Sequence, residues 1–115
     1  IKHGAKVNIS DDEGNTPLIL AAKSASAEIL RILLDEGAEI NAQNKEGQTA
    51  LMNAAYEDDL EKVKILLLAG ADVNLKNKEN ESAWDLTTDD EVEKFLEMHG
   101  AEAEDDDEET EAEDN

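Results

Sequence analysis

The distribution of apolar and polar residues along 9–41 predicts a pair of short helices. The first helix begins at Pro17, because proline is tolerated at the first helical position, and Thr16 is suited to be its N-cap. A second helix over 27–36 carries a broad apolar stripe. Gly37 follows, where a left-handed residue commonly ends a helix. The segment is therefore predicted to form one unit of two helices joined by a short break.

The same pattern returns every 33 residues. GAKVN begins at Gly4, GAEIN at Gly37 and GADVN at Gly70. Of the 33 positions in 42–74, 13 are identical to those in 9–41. A fixed period of this size is typical of a solenoid, in which each unit buries its apolar face against its neighbours.

A third, degenerate unit starts at Leu75. Asn80 stands where the earlier units have a turn glycine, and asparagine is among the residues that best tolerate positive φ. The second helix of this unit is predicted over roughly 90–99 and gains glutamates, as the polar outer face of a terminal unit requires. The predicted organisation is a remnant of a preceding unit, two complete units, a capping unit and a disordered acidic tail: residues 1–8, 9–41, 42–74, 75–101 and 102–115.

These motifs resemble the ankyrin repeat. G-x-T-P-L-x-x-A-A from Gly14, a second helix that ends L-L-x-x-G-A, and a hydrophobic residue before asparagine match that family, and most of the pattern recurs from Gly47. The resemblance covers residues 1–101 and implies an all-α solenoid of stacked antiparallel helix pairs with projecting β-turn fingers. The family usually has histidine where this chain has Ile19 and Met52. We therefore expect apolar packing in place of a polar contact, and a less rigid stack.

The resemblance also implies a concave binding face formed by the fingers and the first helix of each pair. Such domains bind proteins and are rarely enzymes. Variable positions on this face carry six acids and three lysines, and the alternative to a binding role is a solvated polar surface. The predicted partner-binding residues are Asp12, Glu13, Asn15, Lys23, Ser24, Lys45, Glu46, Gln48, Tyr56, Glu57, Lys78, Glu79 and Glu81.

Two aromatic residues receive opposite interpretations. Tyr56 is the only tyrosine and falls on the inner helix of the central unit, so we predict an exposed interface residue, with packing on a neighbouring unit as the alternative. Trp84 occupies the position that Leu18 and Leu51 hold in the earlier units, and we predict that it is core.

Charge narrows the classes of partner. The formal net charge is −21, and ten acids without a base lie in 102–115. The first 101 residues, with 21 acids and 10 bases, are also acidic. This balance disfavours nucleic acids and anionic membranes, and it favours a basic protein partner.

Candidate chemistry is sparse. There is no cysteine, and the two histidines, His3 and His99, have no partner at metal-ligand spacing. No phosphate-binding glycine loop or nucleophile motif is present. We predict no catalytic residue, no cofactor and no metal site.

The leading hypothesis is a non-enzymatic, intracellular protein-interaction module that uses the concave face. The alternative is a chaperone or shield for a basic protein, such as a histone, a ribosomal protein or a basic tail, with the acidic tail as the main contact. The chain opens within a repeat, so the apolar edge of the first complete unit should be uncovered. We expect a monomer unless that edge self-associates.

Overall fold

Residues 7–100 are described by a computed structural model, and they contain six α-helices and no strand. Helices α1, α3 and α5, the inner helices, pack in one row, and α2, α4 and α6, the outer helices, pack in a second. Each inner helix also packs against the outer helix that follows it. The predicted all-α solenoid is confirmed. The helices are α1 (Pro17–Ser24), α2 (Ala27–Asp35), α3 (Ala50–Tyr56), α4 (Leu60–Leu68), α5 (Ala83–Leu86) and α6 (Asp90–Met98).

Some sequence predictions fall outside the described residues. These are most of the remnant at 1–8, including His3, and the acidic tail at 102–115. The proposed limits of the units remain predictions.

Side-chain caps start the helices. The hydroxyl oxygen of Thr16 accepts a hydrogen bond from the Ile19 backbone N–H at 3.3 Å, and Thr49 accepts one from Met52 at 3.1 Å. These caps satisfy backbone donors that have no partner within the helix. Asp89 caps α6 through the N–H groups of two residues in its first turn. The start of each helix is thus encoded locally, as the sequence pattern indicates.

Small residues allow the two rows of helices to approach each other. Ala21 and Ala22 in α1, and Ala54 and Ala55 in α3, are buried. Leucine and valine side chains fill the space between the rows, and truncating one of them to alanine would cost roughly 2–5 kcal/mol. The fully buried members are Leu18, Leu30, Leu51, Val63, Leu66, Val92 and Leu96.

The helix ends refine the sequence-based limits. Helix α2 ends at Asp35, one residue earlier than predicted, because Glu36 is the C-cap. Helix α6 likewise ends at Met98, with His99 as its C-cap. Positive φ angles occur at Gly37 (98°) and Asn80 (65°), as predicted.

Trp84 is only half-buried, so its prediction as a core residue is partly wrong. Leu18 and Leu51, at the same position of the earlier units, are fully buried because another inner helix packs over each of them. Within residues 7–100 no helix follows α6 to cover Trp84. The indole packs against the core on one side, and its N–H donates a hydrogen bond to Glu97 Oε2 at 2.8 Å.

A buried lysine joins the first two units. Lys62 in α4 is 6% exposed, and its Nζ lies 3.3 Å from the carbonyl oxygen of Ala22 and 3.4 Å from that of Ala21. Asp59 Oδ2 lies 3.7 Å from the same nitrogen. The ammonium group therefore neutralises partial negative charge at the C-terminal end of α1.

The second unit uses polar side chains to contact the unit before it, and the first unit has apolar side chains at the same positions. Ile29 is equivalent to Lys62 by register, and Leu20 is equivalent to Asn53. Leu20, Ile29 and Ile32 are 43%, 44% and 50% exposed. The apolar edge expected from the sequence is therefore accessible among the described residues.

Asp58 joins the second unit to the third. Its carboxylate accepts hydrogen bonds from the Thr87 hydroxyl at 2.7 Å, the Thr88 N–H at 2.9 Å and the Thr88 hydroxyl at 2.9 Å. The Thr87 hydroxyl, followed by the two Thr88 donors, holds the pKa of Asp58 below its ordinary value of 3.8. The residue adopts φ of 57°, which aspartate tolerates better than most residues.

Replacing Asp58 by glycine should lower the melting temperature at pH 7, because glycine keeps the positive φ but removes all three hydrogen bonds. The folded-state pKa is lowered, so the stabilisation is present above pH 3.8 and is lost as the pH falls through the folded value. The difference in melting temperature between wild type and Asp58→Gly should therefore shrink below pH 3.8. Circular dichroism melts from pH 2 to pH 7 measure this difference in melting temperature. The double variant Thr87→Val/Thr88→Ala is the control, because it removes the two hydroxyl donors and keeps Asp58. A pH-independent difference would contradict the assignment.

Candidate binding groove

Three turns, the fingers, project from the helix pairs at residues 11–15, 44–48 and 77–81. In each finger the first side chain accepts two backbone hydrogen bonds through Oδ1, from the residues two and four positions later. For Asn44 these bonds come from Glu46 at 2.8 Å and Gln48 at 3.0 Å. Asp11 and Asn77 repeat the arrangement at 2.9 Å. Each finger is thereby held in one shape by its own side chain.

The fingers are also bonded to one another. The Lys45 N–H donates to the carbonyl oxygen of Glu13, and the Lys78 N–H donates to that of Glu46, both at 2.9 Å. Side-chain amides add a second layer: Asn44 Nδ2 donates to Asn15 Oδ1 at 2.8 Å. Because the same bonds recur at each step, the fingers form a continuous wall.

Glycine is required where two fingers meet. Gly47 has φ of 80°, and a Cβ added there would lie 2.9 Å from the Asn77 Cα and 2.9 Å from the Lys78 nitrogen. Asn80 stands at the same position of the third finger, where no further finger packs against it within residues 7–100. The sequence difference at this position follows from the neighbouring backbone.

A groove of about 440 Å³ runs between the fingers and the inner helices. We call it the finger–helix groove. It gathers nine of the thirteen predicted partner-binding residues: Glu13, Asn15, Lys23, Glu46, Gln48, Tyr56, Glu57, Glu79 and Glu81.

The other four predicted residues do not line the groove. Asp12, Lys45 and Lys78 are exposed finger residues, and the two lysines take part in finger packing through their backbone N–H groups. Ser24 is the last residue of α1, and its hydroxyl donates to the Leu20 carbonyl oxygen at 3.2 Å.

Tyr56 is the most exposed apolar element of the groove. It is the last residue of α3, and 65% of its surface is accessible. Leu20 and Leu86 line the groove in the first and third units. An aromatic ring thus lies on the central unit, with aliphatic side chains on either side.

A family model described as ankyrin repeats matches residues 1–77. The chain belongs to the ankyrin-repeat family. Ankyrin repeats are generally protein–protein interaction modules and are generally non-enzymatic. No curated protein matches the chain.

The finger–helix groove of this ankyrin domain is strongly acidic. Five glutamates and one lysine line it. The carboxylates of Glu13, Glu46 and Glu79 make no hydrogen bond or ion pair within residues 7–100, so their charge faces solvent. At the base of the first finger, the N–H groups of Asn15 and then Glu13 hold the pKa of Asp11 below 3.8. That carboxylate is ionised at neutral pH and serves the finger's structure.

Within residues 7–100 the groove does not gather a set of metal-ligating side chains. Among residues 7–100, no group of three or more histidine, aspartate or glutamate side chains is placed to hold a metal ion. His99 is the C-cap of α6, where its ring contacts Phe95 and its Nδ1 is 3.0 Å from the Phe95 carbonyl oxygen. In this part of the chain no helix has the length and apolar character needed to span a bilayer.

Sequence reasoning missed five residues of the groove. Asn44 and Asn77 occupy the first finger position, and their period of 33 residues was an available signal. Asn53 links two units, since its Nδ2 donates to the Ile19 carbonyl oxygen at 3.0 Å and its Oδ1 accepts from Gln48. Nothing in the local sequence indicates that role. The remaining two are Leu20 and Leu86.

Exchanging the residues at the equivalent finger positions tests the finger contact. Gly47→Asn introduces a residue that tolerates positive φ, so the main cost should be overpacking against the third finger, about 1–3 kcal/mol. Asn80→Gly, the matched control, should cost less than half as much, since it relieves no contact and only adds chain entropy. Urea unfolding of the two variants measures both values, and equal losses would contradict this account of the glycine.

Proposed function

We propose that this ankyrin domain is a non-enzymatic protein-interaction module whose partner binds in the finger–helix groove. The observation that carries the proposal is the exposed tyrosine of the central unit. Tyr56 is 65% exposed beside polar side chains that converge on the same groove. Burying a tyrosine at the centre of an interface is a common source of binding energy.

The walls of the groove favour binding without large rearrangement. Backbone bonds between fingers and side-chain bonds within each finger fix the positions of the lining amides, including Asn44 and Asn77. A surface that is already ordered loses less entropy when a partner binds. The groove is therefore suited to a partner that adapts to its shape.

Site-specific photocrosslinking tests the location of the partner. A photoreactive phenylalanine analogue at position 56 should crosslink a protein in cells that express the chain. The same analogue at Leu68, which is 75% exposed on outer helix α4, provides the matched control. Capture of the same protein only from position 68 would place the interface on the opposite side and refute the proposal.

Tyr56→Ala should weaken binding of the captured partner by at least roughly tenfold, about 1.4 kcal/mol. Lys45→Ala, which removes an exposed charge outside the groove, should change the affinity by less than about threefold. Calorimetric titration measures both, and circular dichroism melts establish that each variant is folded. Normal binding by folded Tyr56→Ala would show that the tyrosine is not an anchor.

A second candidate function is a shield for a basic protein. Two observations favour it: the acidic lining of the groove and the ten acids in 102–115. In this version the tail supplies most of the affinity, through long-range electrostatic attraction. Such attraction is screened by salt over about 10 Å at 0.1 M ionic strength.

Truncation after Ala101 separates the two candidates. If the groove dominates, the truncated chain should bind the partner within about twofold of the full chain at 0.15 M salt. If the tail dominates, the truncation should abolish binding and remove most of its salt dependence. Titrations at 0.05, 0.15 and 0.5 M sodium chloride compare the two chains.

A further inference from the structure

Three glutamates form a periodic row along the finger–helix groove. Glu13, Glu46 and Glu79 occupy the same finger position in successive units, 33 residues apart, and all three line the groove. Each is exposed, and none of the three carboxylates is paired within residues 7–100. The row therefore presents three uncompensated negative charges at regular intervals along one wall.

The spacing of this row is set by the helix stack. Packed helices lie about 8–10 Å apart, and each finger is continuous with its own helix pair. The bonds between fingers keep the three fingers in the same register. Successive glutamates therefore advance by roughly the same 8–10 Å.

A polyproline-II helix has a matching repeat. It advances about 3.1 Å per residue with three residues per turn, so side chains three positions apart lie on one face, about 9 Å from each other. This conformation has no internal hydrogen bonds, and its backbone remains free to pair with polar side chains.

Apolar contacts are available between the charges. Tyr56 belongs to the same unit as Glu46, the middle glutamate, and its ring is exposed within the groove. A tyrosine face accepts a proline ring or the guanidinium group of an arginine. An extended segment that bears both kinds of residue would complement the groove in charge and in shape.

We propose that the groove binds an extended, polyproline-II-like protein segment that carries arginine or lysine at every third position. One cation pairs with each of Glu13, Glu46 and Glu79, and the residues between them pack against Tyr56. This inference rests on the proposed function of the groove, and it adds the conformation and the sequence register of the partner.

Two synthetic peptides of identical composition test the register. ARPPRPPRA has arginine at every third position, whereas ARRRPPPPA has the same residues with the arginines clustered. The full chain should bind the spaced peptide at least about fivefold more tightly in 0.05 M salt, because it can form more of the exposed charge pairs at once. Fluorescence anisotropy of labelled peptides measures both affinities. Attraction by the acidic residues of 102–115 acts on both peptides, which carry equal charge, so it does not create the preference.

Two matched triple variants locate the preference. Glu13→Gln/Glu46→Gln/Glu79→Gln should abolish it, although each single change should weaken the spaced peptide by less than about threefold. The control, Glu28→Gln/Glu61→Gln/Glu91→Gln, removes the same number of charges at equivalent positions of the outer helices. It should lower both affinities together and keep the preference. Circular dichroism establishes folding of each variant.

The outcomes distinguish this inference from the broader proposal. Equal affinities for the two peptides, no binding of either, or a preference that survives the finger triple variant would overturn the spaced-cation inference. In those cases a protein captured from position 56 would still support the groove as the interface. Capture only from position 68 would remove the groove proposal and this inference together.

Discussion

The fold depends on the close approach of one finger to the next. The backbone hydrogen bonds from Lys45 to Glu13 and from Lys78 to Glu46 bring a nitrogen of one finger to 2.9 Å from an oxygen of the preceding finger. A Cβ at position 47 would lie 2.9 Å from the backbone of the third finger, so glycine fits there without displacing that finger. Because each finger is attached to its helix pair, this contact fixes the advance from one unit to the next. The groove lies beneath the wall that these contacts create.

Polar contacts between units persist although the histidines common in the ankyrin family are replaced. Ile19 and Met52 are buried, as apolar packing predicts. The Ile19 carbonyl oxygen nevertheless accepts a hydrogen bond from Asn53. Lys62 supplies another link to the first unit, and Asp58 supplies one to the third. The connection between units has therefore moved to other side chains. The expectation of a less rigid stack remains a prediction.

The sequence predicted the elements that depend on local signals. The 33-residue period and the residues with positive φ located the C-terminal ends of α2 and α6 to within about one residue. It also grouped most lining residues of the groove, because residues at equivalent positions share a face in a repeat protein. Tyr56 is exposed, as its register indicates.

What the sequence did not predict are contacts between residues about 30 to 40 positions apart. Asp58 and Thr87 are unremarkable polar residues in their local context, yet they meet across two units. Lys62 has the sequence environment of a surface lysine, and it is buried because the end of α1 lies beside it. Trp84 has the register of a core residue, but within residues 7–100 no further helix packs over it.

The third finger also limits how copies of this chain can associate. A solenoid whose last unit could accept another first unit in the same geometry would continue head to tail, and such open contacts generate filaments. The first unit exposes apolar side chains, so one half of that contact exists. Asn80, however, carries a side chain at the position where Gly47 shows that the next backbone would have to lie. The side chain of Asn80 therefore disfavours continued growth in the direction in which the repeats are stacked, by about the 1–3 kcal/mol that overpacking costs.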